Sequence, residues 1–154
     1  MYNRNMKQRT LILIKPDAIQ KRITGIIIDR LENLGLDMKA ARVAPVTDKL
    51  AREHYSNLAG KPFLDGVVKY MMGEVNDVKP PHVYAFVFAG EDAVARVREM
   101  IGATDPAKAL PYSLRGQFGA VKNGAIQNCI HASGAPDEAE REIKLWFKPS
   151  EILE

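Results

Sequence analysis

The chain has 154 residues, 22 basic and 19 acidic, with a net charge of +3, which suits one domain with its own core and leaves too little chain for two. No apolar run reaches the roughly 20 residues that a bilayer-crossing helix needs, and the lysines and arginines are spread among acids rather than gathered into the basic face of a nucleic-acid binder. The single cysteine, Cys129, has no partner for an internal disulfide or a thiolate metal cluster. Residues 1–8 lack the apolar centre of a secretory signal and read as a disordered lead-in, so a cytoplasmic protein is expected.

Residues 10–14 form a β-prone run stopped by Lys15-Pro16-Asp17, a buried strand with its exit turn. Over 25–35, Ile27, Leu31 and Leu34 share a helical face, with Gly35 as the C-terminal cap. Residues 36–45 read as a second strand with one wet face. Thr47 caps a helix over 48–55 and Pro62 starts another reaching 71, which together make a helical hairpin. Residues 73–81 break all periodicity before a strand over 83–89, and 91–101 return to helical spacing with Val94, Val97 and Ile101 on one side. Rich in glycine, proline and small residues, 102–125 read as a long loop. A strand ending at Ile130 and a helix over 136–147 complete the chain. That alternation predicts an α/β (α+β) sandwich of the ferredoxin-like, split βαβ kind, with a mainly antiparallel four-stranded sheet and an added helical hairpin.

His131 follows the apolar stretch 126–130 and opens the small-residue turn Ala132-Ser133-Gly134. A neutral imidazole held there can attack phosphorus with one nitrogen while the other donates to an orienting group. Glu142, Glu138 and Asp137 on the following helix are the candidate orienting carboxylates. The familiar phosphate loops are missing, since Gly60-Lys61 is followed by Pro62 and no glycine trio has dinucleotide spacing, so side chains must hold any nucleotide. Lys15 at a strand end, Arg98 on the polar side of a helix and Arg115 in the long loop are either solvated surface charges or, together, the source of the distributed positive charge that phosphoryl transfer requires. Thr104, before Asp105-Pro106, either bonds a phosphate or shapes a turn, and Asn128 has the same two readings. Strict alternation puts Asn128 and His131 on opposite faces, so a shared site requires the chain to bend near Ile130, for which Ser133 and Gly134 leave room. Phe63 is either core or a ring that stacks on a base. Tyr84, Phe86 and Phe88 share a strand face, where buried core is a simpler reading than an RNA- or DNA-binding platform.

Taken together and in order, Lys15-Pro16-Asp17, Glu53-His54-Tyr55, Lys61-Pro62-Phe63, Gly102-Ala103-Thr104-Asp105-Pro106, Leu114-Arg115-Gly116, the run from Asn128 to Ser133 and the run from Glu140 to Phe147 resemble the nucleoside diphosphate kinase family over nearly the whole chain. The resemblance implies one kinase domain over 1–154 that moves the γ-phosphate of a nucleoside triphosphate, typically ATP, to a nucleoside diphosphate by a ping-pong route through a phosphohistidine at His131. It places Lys15, Tyr55, Arg98, Thr104, Arg115 and Asn128 on the phosphate and sugar contacts, and Phe63 and Val67 on the base-stacking shelf. Glu142 would orient His131, with Ser133 beside it. The resemblance further implies Mg2+ carried on the nucleotide phosphates with no dedicated protein ligands, a homo-oligomer, and no membrane or specific nucleic-acid partner. The chain departs from the family in having Ala132-Ser133-Gly134 where Gly-Ser-Asp is usual, and Pro111-Tyr112-Ser113-Leu114-Arg115-Gly116 where Pro-Gly-Thr-Ile-Arg-Gly is usual. It also carries extra residues around 73–81 and between Arg115 and Asn128.

Overall fold

The computed structural model describes residues 7–154. In chain order the elements are β1 (Lys7–Ile14), α1 (Pro16–Gln20), α2 (Thr24–Glu32), β2 (Asp37–Pro45), α3 (Asp48–His54), α4 (Leu64–Met71), β3 (His82–Glu91), α5 (Ala93–Ile101), α6 (Leu114–Phe118), β4 (Ala120–Lys122), β5 (Ala125–Gln127), β6 (Ile130–Ala132) and α7 (Pro136–Trp146), with short 3-10 turns between some of them. Four strands form a sheet in the order β2-β3-β1-β6, every neighbour antiparallel. This is the ferredoxin-like arrangement the alternation predicts, and α3 and α4 are the added helical hairpin.

Burial on both faces explains why β1 is a near-continuous apolar run rather than an alternating one. Ile12 and Ile14 pack with Ile27 and Leu31 of α2 and Val97 and Ile101 of α5. Leu11 and Leu13 pack on the other side with Ala51, Val68, Ile143 and Trp146 from α3, α4 and α7. Phe86 and Phe88 sit in the first of these layers, beneath helices, so the aromatic face of β3 is core and not a platform for bases. Pairing of Leu13 with His131 across β1 and β6 puts the histidine on the same face as α3 and α7. Among the described residues no helix is long and apolar enough to cross a membrane.

Lys7 and Gln8 are not lead-in but the first residues of β1, paired with Glu91 and Gly90; the rest of that segment, 1–6, lies outside the described residues. The turn expected at Lys15-Pro16-Asp17 is the start of α1, where proline stands in the first turn and its missing N–H costs nothing. The second helix of the hairpin begins at Leu64, two residues after Pro62. The segment expected as a long loop is largely structured. Ser113 Oγ caps α6 by accepting from Gly116 N–H at 3.1 Å. Asn123 (φ 50°) and Gly124 (φ 75°) make the two-residue turn that joins β4 to β5, left-handed at both positions as a tight hairpin requires. Finally, the strand expected to end at Ile130 is two strands, β5 and β6, separated at Asn128-Cys129, and His131 lies inside β6 rather than after a strand.

Candidate active site

The break between β5 and β6 builds the floor of the site. Cys129 adopts a left-handed conformation (φ 68°) that costs a residue other than glycine about 1–2 kcal/mol. Asp17, fully buried at the start of α1, offsets this strain: its Oδ2 accepts from Cys129 N–H at 3.1 Å and its Oδ1 from the Tyr70 hydroxyl at 2.5 Å. The Lys15 backbone N–H also donates to the Cys129 carbonyl at 2.9 Å. The turn brings the Asn128 side chain onto the site, where Oδ1 accepts from Lys15 Nζ at 2.8 Å and Nδ2 donates to the Thr104 carbonyl at 2.9 Å. The bend thus falls one residue before Ile130, and Ser133 and Gly134 do not make it. Burial pushes the Cys129 thiol up to about 12, so it stays protonated.

Beyond that turn, a chain of hydrogen bonds fixes the imidazole of His131. Leu11 N–H donates to Ser133 Oγ at 3.0 Å, and the Ser133 hydroxyl donates to Glu142 Oε2 at 2.8 Å. The same carboxylate oxygen lies 2.9 Å from His131 Nε2. With Nε2–H committed to the carboxylate, the lone pair of a neutral His131 is on Nδ1. Neutrality is enforced electrostatically, because burial, then Lys15, Arg115, Arg98 and Arg141, hold the imidazole well below its usual range. A neutral ring with one nitrogen oriented and the other free is the form a nucleophile needs.

Around His131 runs a cleft of about 500 Å3, lined by Lys15, Tyr55, Arg98, Thr104, Arg115 and Asn128 among others. Lys15 is buried against Arg115, and those two effects pull its ammonium down to about 7, opposed by Asp17. Arg115 is anchored by donating to the Gly102 carbonyl at 3.1 Å and the Ile130 carbonyl at 2.7 Å. Burial and the neighbouring Arg98 lower it to about 10, still cationic at neutral pH. Arg98 is exposed on α5 at the cleft wall. The Tyr55 hydroxyl and Arg115 Nε are buried without a partner among the described residues. Four basic side chains, Lys15, Arg98, Arg115 and Arg141, against the two carboxylates of Glu138 and Glu142 leave the cleft basic on balance, and with these two idle donors it suits a polyanion.

Lys15, Tyr55, Arg98, Thr104, Arg115, Asn128, His131 and Glu142 therefore share one cleft, and Ser133 reaches it through Glu142. Of the three candidate carboxylates, Glu142 bonds the histidine, Glu138 lines the cleft, and Asp137 is not among the lining residues. Phe63, 54% exposed at the entry to α4, and Val67 are not among them either. Of the lining residues with titratable side chains, His54 and Arg141 are the two to which the sequence reading gives no role. Arg141 donates to the Glu53 carbonyl at 3.3 Å, tying α7 to the end of α3. His54 contacts both Trp146 and His131, a packing relation that no spacing in the chain announces.

The family model for nucleoside diphosphate kinase matches residues 8–152. A nucleoside diphosphate kinase of Thermococcus kodakarensis is 44% identical over 147 residues, 96% of this chain and 80% of that one. The Borrelia burgdorferi nucleoside-diphosphate kinase, solved as a transition-state mimic with vanadate and ADP, superposes with a TM-score of 0.84 at 32% identity, covering 96% of this chain and 91% of that one. A halophilic nucleoside diphosphate kinase from Halobacterium salinarum in complex with CDP also reaches 0.84, at 36% identity and with coverage of 97% and 93%.

Proposed function

This chain belongs to the nucleoside diphosphate kinase family of phosphotransferases, and we propose that His131 carries the phosphoryl group in its reaction. The observation that carries this reading is the hydrogen-bond chain from Leu11 through Ser133 and Glu142 to His131. It leaves Nδ1 as the free nitrogen in a cationic cleft. In the first half, Nδ1 attacks the γ-phosphorus of a nucleoside triphosphate, the N–P bond forms, and the bond to the bridging oxygen breaks with its electron pair leaving on the diphosphate. In the second half a different nucleoside diphosphate attacks the phosphorus and returns Nδ1 to its free form. The same cleft serves donor and acceptor in turn, so one small domain suffices.

Lys15, Arg98 and Arg115 meet the charge on the phosphates, Tyr55 and Thr104 donate from their hydroxyls, and Asn128 holds Lys15 and contacts the sugar. Phe63 and Val67 form the shelf on which the base stacks; every base has a π face, which supports breadth in the nucleotide accepted, ATP the typical donor. Positioning and charge neutralisation then supply most of the rate. The carboxylates lining the cleft are Glu138 and Glu142, and Glu142 is committed to His131 and Ser133. That donor set makes no cage, and it fits Mg2+ that arrives on phosphate oxygens and keeps water on its remaining positions. Bound there, the ion would neutralise phosphate charge. We take residues 1–154 as a single domain acting as a homo-oligomer in the cytoplasm, with neither membrane nor specific nucleic acid as a partner.

The direct test is His131→Ala. Transfer from ATP to a nucleoside diphosphate is expected to fall to background while thermal unfolding stays cooperative. Retained turnover in a folded variant would refute the role of His131.

A further inference from the structure

Trp146 Nε1–H donates to His54 Nδ1 at 3.2 Å. An indole nitrogen is a donor only, so the lone pair of His54 is on Nδ1 and the neutral ring carries its proton on Nε2. The ring is 2% exposed. Burial, and after it the facing His131, keep it far below its usual range; Lys15 and Arg141 act the same way, against Glu142. Nε2 is buried and, among the described residues, has no hydrogen-bond partner. Buried donors without partners are rare in native proteins, and each calls for a physical reason.

The reason lies in where the ring stands. His54 meets His131 edge to face, with 4.3 Å between centroids and 82° between planes, and lines the same cleft. A ring nitrogen of each histidine and a carboxylate oxygen of Glu142 fall within 4.8 Å of one another. Such a trio has the residue types of a metal site, yet a metal needs lone pairs. The lone pair of His54 is taken by Trp146, and His131 Nε2 and Glu142 Oε2 are taken by each other. The remaining use of an idle N–H beside His131 is an acceptor that comes and goes.

We propose that His54 is a further catalytic residue, whose Nε2–H donates to an oxygen of the phosphoryl group while that group moves to and from His131. The inference rests on the reading of His131 given above. His54 keeps its proton throughout. As the N–P bond forms and the leaving diphosphate takes the electron pair of the breaking P–O bond, negative charge on the phosphoryl oxygens meets a donor already fixed by Trp146. No reorganisation is needed at the moment of transfer.

Two substitutions separate this role from packing. Asparagine at position 54 keeps a polar atom at the place of Nδ1, able to accept from Trp146, but does not reach the place of Nε2; glutamine reaches it with an N–H. The rate of His131 phosphorylation by magnesium ATP, followed by rapid quench and intact mass, is expected to fall on the order of 100-fold in His54→Asn. ADP affinity and the thermal midpoint should stay near those of the unaltered protein, and His54→Gln should recover most of the rate. Equal rates in His54→Asn and the unaltered protein would overturn the proposal, as would equal losses in the Asn and Gln variants. If the Asn variant does not fold, His54→Phe set against His54→Gln makes the same comparison. Absence of any phosphoenzyme in the unaltered protein is a separate result that overturns the role of His131 and this inference with it.

Discussion

Lys15 shows how one residue can be read twice from its surroundings. Its place after a β-prone run marks it as a binding group at the end of a sheet strand. Burial beside Arg115 adds what no sequence pattern contains, an ammonium pulled down to about 7 that loses its charge across the neutral range. Phosphate contact needs the charged form, so kcat/KM for a nucleoside diphosphate is expected to decline as pH rises through about 7. Lys15→Arg, whose guanidinium stays cationic, should flatten that limb of the profile. An unchanged limb in the variant would mean that another group titrates there. His131 and Glu142 are similarly legible as candidates, a histidine at a small-residue turn followed by a helix that carries carboxylates. Which of Glu142, Glu138 and Asp137 takes the imidazole depends on the packing of α7 against β1 and is settled by the 2.9 Å contact. His54 stayed out of reach because its tautomer depends on Trp146, distant in the chain.

Among the elements, periodic helices and the apolar strands β1 and β3 were plain from the chain, because burial on a fixed face imposes its own spacing. The segment from Gly102 to Ala125 was misread because composition outweighed position. Asn123-Gly124 between two short β-prone stretches is itself a hairpin signal, and Ser113 is a cap for α6. The turn at Cys129 is a different kind of failure: no local preference favours a left-handed cysteine, and Asp17, over a hundred residues away in the chain, holds it. Hydrogen bonds to a charged group contribute about 1.5–3 kcal/mol each. Asp17→Ala removes the acceptor of both Cys129 N–H and the Tyr70 hydroxyl, so it is expected to lower unfolding stability by roughly 3 kcal/mol or more. Turnover should drop as well, because Asn128 and His131 hang from that turn. A variant with native stability and native activity, measured by urea unfolding and by steady-state rates, would show that the turn holds itself.

For the whole molecule, placing the site between β6, α3 and α7 leaves His54 buried and His131 half-buried, both of them neutral. Their folded values lie below the unfolded value near 6.5, so the unfolded chain binds protons that the folded one refuses as pH falls through that point. Stability is therefore greatest above pH about 6.5 and declines below it, with a limiting slope of about 1.4 kcal/mol per pH unit for each histidine. Urea midpoints between pH 7.5 and 5.5 are expected to decline, and a flat response would contradict the neutral state assigned to both rings. A cationic cleft that passes a phosphoryl group through His131 must hold that group on the protein between the two nucleotides. Intact-mass spectrometry of the protein after brief incubation with ATP and magnesium, then with a different nucleoside diphosphate, tests this requirement most directly. A single phosphoryl adduct that forms, is absent from His131→Ala, and leaves on addition of the acceptor is the predicted result; transfer between nucleotides without any adduct on the protein would contradict it.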